Sequence, residues 1–285
     1  MTKLRAASVL RFGLLAMWSI FCLFPLVWLA ITSFKDEAAI MEGPYYLPFI
    51  DFTPTLESWM YVLSDPYGNL LSAYGNSVLV SVSATALTMV VAGLSVYALT
   101  RLKFGNAFGA WFLALVFSTR ILPPAAIALP IYLLAQKSGT LDTYFALITT
   151  YAAINLPLAV WLLLPVFGPR ASQQEESALL EGASHARVLT EILLPMTLSG
   201  VVAAGFLVFV QCWNEYYLAV HLAGDRAMTL PPFLVGQMSI KEAQVGGDGD
   251  EWPQFSAATM IAVIPLLAAT GFAQQALSRV ARWRG

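Results

Sequence analysis

Arg120 and Glu215 are charged side chains set inside apolar runs of a 285-residue sequence in which only 11% of the residues are charged. A charge at membrane depth is costly and usually faces a cavity or a partner, so both are candidates for contact with a polar ligand. Arg120 presents a planar fork of donors that can hold hydroxyls or an anionic group. The same fork can serve structure, by capping carbonyls freed at Pro123 and Pro124 or by pairing with an acid. Glu215 closes the polar end of the run Gln211, Cys212, Trp213, Asn214, Glu215, followed by Tyr216 and Tyr217. Spacings of three and four place Gln211, Asn214 and Glu215 on one helical face. Amides and carboxylates suit hydroxyl groups, while the aromatic residues fit either a ring-stacking surface or an interfacial aromatic belt. Tyr151 and Asn155 form a further polar pair at i, i+4, placed either to line a pathway or to bridge helices.

Covalent and metal chemistry lack their parts. His185 and His221 have no second His or Cys at ligand spacing, and Cys22 and Cys212 lie in apolar runs where a thiol behaves as a small hydrophobe. No nucleophile, base and orienting group stand together. Asp248, Gly249 and Asp250 open like a calcium loop, but the downstream Glu and its spacing are missing. No GxxxxGK[ST] phosphate loop occurs, so any nucleotide that drives this protein is bound by another chain. A net charge of -2 gives no footprint for nucleic acid.

Hydrophobic residues make up 58% of the chain and charged residues only 11%, whereas soluble domains carry roughly 25% charged residues. An all-α membrane protein is expected, because a lipid-embedded backbone must satisfy its own hydrogen bonds and a span takes about 20 apolar residues. The expected spans are six, at about 9–34, 74–99, 110–135, 143–166, 196–220 and 256–278. The first is too long for the h-region of a cleaved signal and is read as a retained span. Pro25, Pro123, Pro124, Pro130, Pro157 and Pro265 interrupt the spans and free carbonyls for other partners.

Basic residues set the orientation. With the N-terminus inside, Lys3, Arg5, Arg11, Arg101, Lys103, Arg170, Arg187, Arg279, Arg282 and Arg284 are cytoplasmic. Lys35, Lys137, Arg226 and Lys241 are outside, beside acids such as Asp36, Glu37, Glu42, Asp248, Asp250 and Glu251. Both termini are then cytoplasmic and residues 1–285 form a single transmembrane domain. The outer loops 35–73 and 221–255 are long, and the first carries Pro44, Tyr45, Tyr46 and Trp59. They are either surface covering or a docking face for an extracytoplasmic partner. No internal repeat is evident.

The cytoplasmic loop 168–195 is patterned too strongly for a linker. Ser172 and Glu175 read as a capping box, with a helix starting near Gln173. Ala178, Leu179 and Leu180 give that helix an apolar face. Gly182 can take a positive φ and end it, a second helical piece follows, and Pro195 stands where the fifth span begins. A helix–turn–helix knob of this kind inserts into a groove on another protein. The alternative is an amphipathic helix lying on lipid, which its acidic residues disfavour.

This segment resembles the EAA loop of binding-protein-dependent ABC importer permeases, whose pattern is E-A-A, three residues, G, nine residues, then I-x-L-P. Here the positions are Glu176, Ser177, Ala178, then Gly182, then Ile192, Leu194 and Pro195, with Ser177 as the departure. Asn76 and Ser77, Tyr97 to Arg101, Pro123 and Pro124, Leu141 to Thr143, and Trp213, Asn214 and Glu215 resemble the carbohydrate branch, and within it the six-span maltose-permease type.

The resemblance implies a type I importer fold in a bacterial inner membrane, paired with a second permease subunit. It implies two ATPase subunits below, which hold ATP and Mg, and a periplasmic or lipid-anchored sugar-binding protein above. This chain is then a transport subunit that binds no cofactor and, apart from membrane lipid, meets only these partners. Glu176, Ser177, Ala178, Leu179, Glu181, Gly182 and Ala183 are implied to dock in a cleft of the ATPase, whose closure on ATP turns the spans from inward-open to outward-open. The implied cargo is a sugar, sugar alcohol or sugar derivative, with an acidic or sulfonated sugar held by Arg120 as an alternative. Arg120, Tyr151, Asn155, Gln211, Asn214 and Glu215 are the candidate pathway residues. A different class remains open on the residues alone: an ion-coupled carrier using Arg120 and Glu215 as a charge relay.

Overall fold

A computed structural model describes residues 2–64, 69–101, 106–167, 169–236 and 252–282. The described chain is helical apart from turns, loops and an isolated bridge between Pro48 and Phe52. It divides into two compact units, residues 1–70 with 234–264, and residues 71–233 with 265–285. Lys103, Lys241, Asp248, Gly249, Asp250, Glu251, Arg284 and residues 237–251 of the expected loop 221–255 lie outside the described residues, as do the side chains of Lys3, Arg5, Glu37, Arg279 and Arg282.

In the first unit, α1 (Thr2–Thr32) runs through Pro25 without a break. It leaves Val9, Phe12, Trp18, Phe21 and Phe24 exposed, the all-round apolar surface of a lipid-facing helix. Beyond it lie α2 (Glu37–Met41), whose N-cap Asp36 accepts the Ala39 N–H, and α3 (Glu57–Ser64). Trp59 Nε1 donates to Ser33 Oγ at 3.2 Å and Thr55 N to the Phe34 carbonyl at 2.8 Å, tying α3 back to the end of α1. Lys35 is buried, not an open surface base. Its Nζ lies 4.8 Å from the Trp28 ring centre and 5.5 Å from that of Phe52, a cation–π arrangement. Burial holds its pKa below the usual lysine value, against the pull of the Asp51 charge.

The second unit is built on α4 (Leu70–Arg101), α5 (Asn106–Ser118), α6 (Pro124–Lys137) and α7 (Tyr144–Leu163). There follow α8 (Pro169–Leu180), α9 (His185–Arg187), a π-helical turn (Val188–Leu193), α10 (Leu194–Trp213) and α11 (Tyr217–Leu222). The last helix, α12 (Trp252–Arg282), carries Pro265 internally, and its residues from Pro265 onward belong to this unit while those before it belong to the first. The core is rich in small residues. Ala84, Ala92, Ala159 and Ala204 are buried with Val80, Val160, Leu163 and Val208, as expected where helices associate by close packing and not by escape from water. Gly200 on α10 shows the limit of that packing, for a Cβ there would stand 2.5 Å from a methyl of Val166.

Five helices among the described residues are long and apolar enough to cross a membrane: Ser8–Thr32, Leu70–Arg101, Tyr144–Leu163, His185–Trp213 and Trp252–Gln275. The stretch expected as a span at 110–135 is two shorter helices. Pro123, extended at φ -64 and ψ 145, precedes Pro124 at the first turn of α6. Two successive residues without N–H groups, each disfavouring helix before it, break the ladder. The other prolines, Pro25, Pro130, Pro157 and Pro265, sit inside unbroken helices. The span expected at 196–220 also differs: it begins at His185 and ends at Trp213.

Candidate functional site

The loop after α7 is a helix, turn and helix, with one local correction. Its helix starts at Pro169 and not near Gln173, so Ser172 lies inside α8 and is no cap; the side chains of Arg170, Ser172, Gln173 and Glu176 are outside the described residues. The turn is as the glycine predicts. Gly182 has φ +93; its N–H donates to the Leu179 carbonyl at 3.0 Å, and the Ala183 N–H to the Ala178 carbonyl at 3.0 Å. That crossed pair of bonds is a Schellman end. Ser184 then caps the next helix by accepting the Arg187 N–H.

Helix α9 continues through the π-turn into α10, and the Leu194 N–H reaches back five residues to Leu189. Pro195 therefore lies within a continuous rod, not at a free helix start. The wider π-turn just before it accommodates a residue that cannot donate and whose ring crowds the preceding carbonyls. The apolar face is divided. Ala178, Leu179 and Ala183 pack on the core, whereas Leu180 is 89% exposed at the tip, beside exposed Glu181 and Gly182. Ser177 is also on the exposed side.

What anchors this loop was not evident from its pattern. Glu175 is 2% exposed and its carboxylate is paired with the Arg101 guanidinium at the end of α4. Arg101 Nη2 also donates to the Phe167 carbonyl at 2.9 Å. The Tyr97 hydroxyl donates to Glu175 Oε1 at 3.2 Å and lies 3.0 Å from His185 Nδ1. The i, i+4 spacing of Tyr97 and Arg101 was the available signal. The partner's position, 74 residues further on, was not.

The polar residues expected at membrane depth are only partly brought together. Arg120 sits at the break after α5, exposed, with Nη2 3.3 Å from Asn155 Oδ1 on α7. Asn155 in turn donates to the Tyr151 carbonyl at 3.0 Å and to Cys212 Sγ at 3.5 Å. The Tyr151 hydroxyl faces the Glu215 carbonyl at 3.4 Å. Phe117, Arg120, Pro157, Leu158 and Trp161 line a cleft of about 390 Å³.

The expected shared face of Gln211, Asn214 and Glu215 does not form, because α10 stops at Trp213. Asn214 is its C-cap, bonded back to the Val210 carbonyl, and Glu215 Oε1 caps α11 by accepting the Leu218 N–H at 2.9 Å. Gln211 is exposed. The ion pairs among the described residues are Arg101–Glu175 and Arg187–Glu191, so the Arg120–Glu215 relay has no direct pair. The bond of the Arg120 guanidinium goes to the Asn155 amide, not to an acid or to a carbonyl freed at Pro123 and Pro124.

At the other end of the second unit, Asp142 organises a loop. It holds φ 55, its N–H donates to the Leu222 carbonyl, and its carboxylate accepts N–H groups from Gly224 at 2.7 Å, Ala227 at 2.8 Å and Arg226 at 3.1 Å. Asn76 Nδ2 donates to the carbonyls of Arg226 and Met228, Tyr144 donates to Asn76 Oδ1, and Ser77 Oγ accepts the Leu230 N–H. The motif positions Asn76, Ser77 and Asp142 thus share one task, fixing residues 224–230. Burial alone would raise the Asp142 pKa; the N–H groups of Ala227, Arg226 and Gly224 and the Arg226 charge outweigh it and hold it below the usual carboxylate value.

The second unit thus combines membrane-length helices with a helix–turn–helix, closed by a Schellman turn, between two of them. The chain belongs to the family of binding-protein-dependent transport system inner membrane components, whose model matches residues 89–283. It is 31% identical over 252 residues to the trehalose/maltose transport system permease protein MalG of Thermococcus litoralis, covering 87% of this chain and 86% of that one. It is 30% identical over 245 residues to the sulfoquinovosyl glycerol transport system permease protein SmoH of Agrobacterium fabrum, covering 86% and 81%. A solved bacterial ABC transporter involved in the import of the acidic polysaccharide alginate matches in fold, with a TM-score of 0.73, 19% identity and coverage of 95% of this chain and 96% of that chain. Family membership removes the ion-coupled carrier.

Proposed function

We propose that this chain is one of two permease subunits of an ATP-driven importer of the bacterial inner membrane, carrying a sugar, sugar alcohol or sugar derivative. The second permease lies beside it, and two ATPase subunits that hold ATP and Mg dock on the loop 168–195, on the cytoplasmic side with both termini. A periplasmic or lipid-anchored sugar-binding protein delivers cargo to the outer loops 35–73 and 221–255. This chain binds no nucleotide; its part is to pass between inward-open and outward-open states whose balance ATP and the loaded binding protein shift.

The observation that carries this reading is Leu180, an 89% exposed leucine held at the tip of a well-capped turn. A lone apolar knob on a rigid base, edged by Glu181, is suited to a groove on a partner protein. Carbohydrate cargo is supported by the relatives, permeases of trehalose/maltose and sulfoquinovosyl glycerol transport systems. The test is reconstitution of the chain with the second permease and the ATPase pair. Leu180→Asp is expected to insert and fold but to abolish ATP-driven uptake, and uptake at the wild-type rate would overturn the docking role.

An acidic or sulfonated sugar is a second reading, favoured by Arg120. Its guanidinium meets the Asn155 amide and no carboxylate among the described residues, and it opens on a cleft bounded by Trp161. A cation at that depth without a counter-charge calls for one from cargo, and an indole face suits a sugar ring.

A further inference from the structure

We propose that Glu175, Arg101, Tyr97 and His185 form a positioning clamp that makes the coupling loop and the end of α4 a single rigid lever. Motion imposed on the loop then reaches α4 as directly as it reaches α7 and α10.

The chain itself joins the loop only to α7, through residues 164–168, and to α10, through the π-turn. Helix α4 ends at Arg101 and has no covalent link to the loop. The clamp supplies that link. It grips the loop on both sides of the Gly182 turn, at Glu175 in α8 and at His185 in the first position of α9. Arg101 also holds the Phe167 carbonyl just before the loop begins, so three points on the loop and its approach meet one turn of α4.

Helical geometry separates the clamp from the docking tip. Glu175 and Leu180 are five residues apart on α8, about 140° around the helix at 3.6 residues per turn. One points into the protein at 2% exposure and the other out at 89%. A force applied at Leu180 therefore acts on a helix whose opposite side is fastened to α4. The pair is suited to this because a buried carboxylate that has lost its guanidinium is left uncompensated, so the clamp does not slip by small degrees.

The inference rests on the coupling role proposed above, and the experiment separates the two. Spin labels at the exposed positions Thr100→Cys and Ala186→Cys, with Cys22→Ala and Cys212 left buried, report the distance between α4 and the second limb of the loop. It is measured by pulsed dipolar spectroscopy in the whole complex in nanodiscs, without nucleotide and after trapping with Mg-ATP and vanadate. The expected result is one narrow distance, unchanged by trapping.

Glu175→Gln, which keeps shape and removes charge, is expected to broaden that distribution and make it shift on trapping. Tyr97→Phe, which removes only a hydroxyl, should do so more weakly and serves if the first variant fails to assemble. A wild-type shift of about 5 Å, one helical turn, or variants as narrow and invariant as wild type would overturn the clamp. A merely stabilising role would lower yield without making the distance nucleotide-dependent. Leu180→Asp on the same labels isolates the docking role: trapping should be lost while the narrow distance stays, and persistence of trapping counts against docking, not against the clamp.

Discussion

Asp142 and Gly224 are 82 residues apart in sequence, yet the Gly224 N–H lies 2.7 Å from the Asp142 carboxylate. The same carboxylate takes the N–H groups of Arg226 and Ala227, so one charged side chain satisfies the backbone of a whole turn. Charge-assisted bonds of this kind are the stronger class, and they hold residues 224–230 where helix has ended.

Asp142→Asn tests this cage. An amide offers one oxygen where the carboxylate offered two, and its NH2 group faces an N–H. The loss should be about 1–3 kcal/mol, seen as a lower melting temperature in detergent at pH 7. The pH dependence has a definite sign. A carboxylate whose folded pKa is depressed stabilises fully above its unfolded value of about 3.9 and loses that contribution as pH falls through the folded one. The gap between wild type and Asp142→Asn should therefore be widest near neutrality and narrow below about pH 4. A gap independent of pH would show that the charge contributes nothing.

Gly182 provides a second test. With φ +93, a Cβ there costs about 1–2 kcal/mol, so Gly182→Ala should reduce uptake while the protein still inserts. Gly182→Pro is more severe, because proline fixes φ near -65° and removes the N–H that bonds Leu179. It should abolish uptake at normal membrane abundance, measured by transport in reconstituted vesicles against quantified protein. Coupled uptake by the proline variant would remove the loop from the drive train.

Close packing gives a third. Since a Cβ on Gly200 meets Val166 methyl carbons at 2.5 and 2.7 Å, Gly200→Ala should destabilise by about 1–3 kcal/mol through overpacking. Val166→Ala removes the obstructing methyls, so the double variant should recover most of the loss. Additive effects of the two substitutions, read as melting temperature in detergent, would mean the contact is not what limits the approach.

The sequence carried some of these features plainly and hid others for physical reasons. Gly182 was legible because a left-handed turn between helical stretches demands glycine, and the Pro123–Pro124 pair announced a break even though hydropathy ran straight across it. Ser172 and Glu175 misled because a capping box is a local pattern, while Glu175 is claimed by Arg101 from another helix. Gln211, Asn214 and Glu215 were placed on one face by a spacing rule that assumes the helix continues. Asn214 and Glu215 instead bond the backbone and end one helix and start the next, the habit of short polar side chains. Asp142, by contrast, lay in a matched motif with no sign of its purpose, since its partners are backbone groups of a loop 82 to 85 residues on.

Arg120 makes the sharpest prediction about cargo. If its guanidinium meets an anionic sugar, Arg120→Gln should raise the KM for a uronic or sulfonated sugar by about tenfold or more, the loss of about 1.5–3 kcal/mol for a hydrogen bond to a charged group, and leave kcat little changed. Arg120→Lys keeps the charge but not the planar fork, so it should fall between. Asn155→Ala removes the amide that holds the guanidinium at 3.3 Å and should weaken the same sugars less, by freeing Arg120 without discharging it. A residue that only bridged α7 to the break would behave otherwise. Its loss would lower stability and kcat for every cargo alike, with no distinction between acidic and neutral sugars. The measurement is uptake by the reconstituted complex with its own binding protein, over a panel of neutral, uronic and sulfonated sugars. Equal effects across that panel would assign Arg120 to structure.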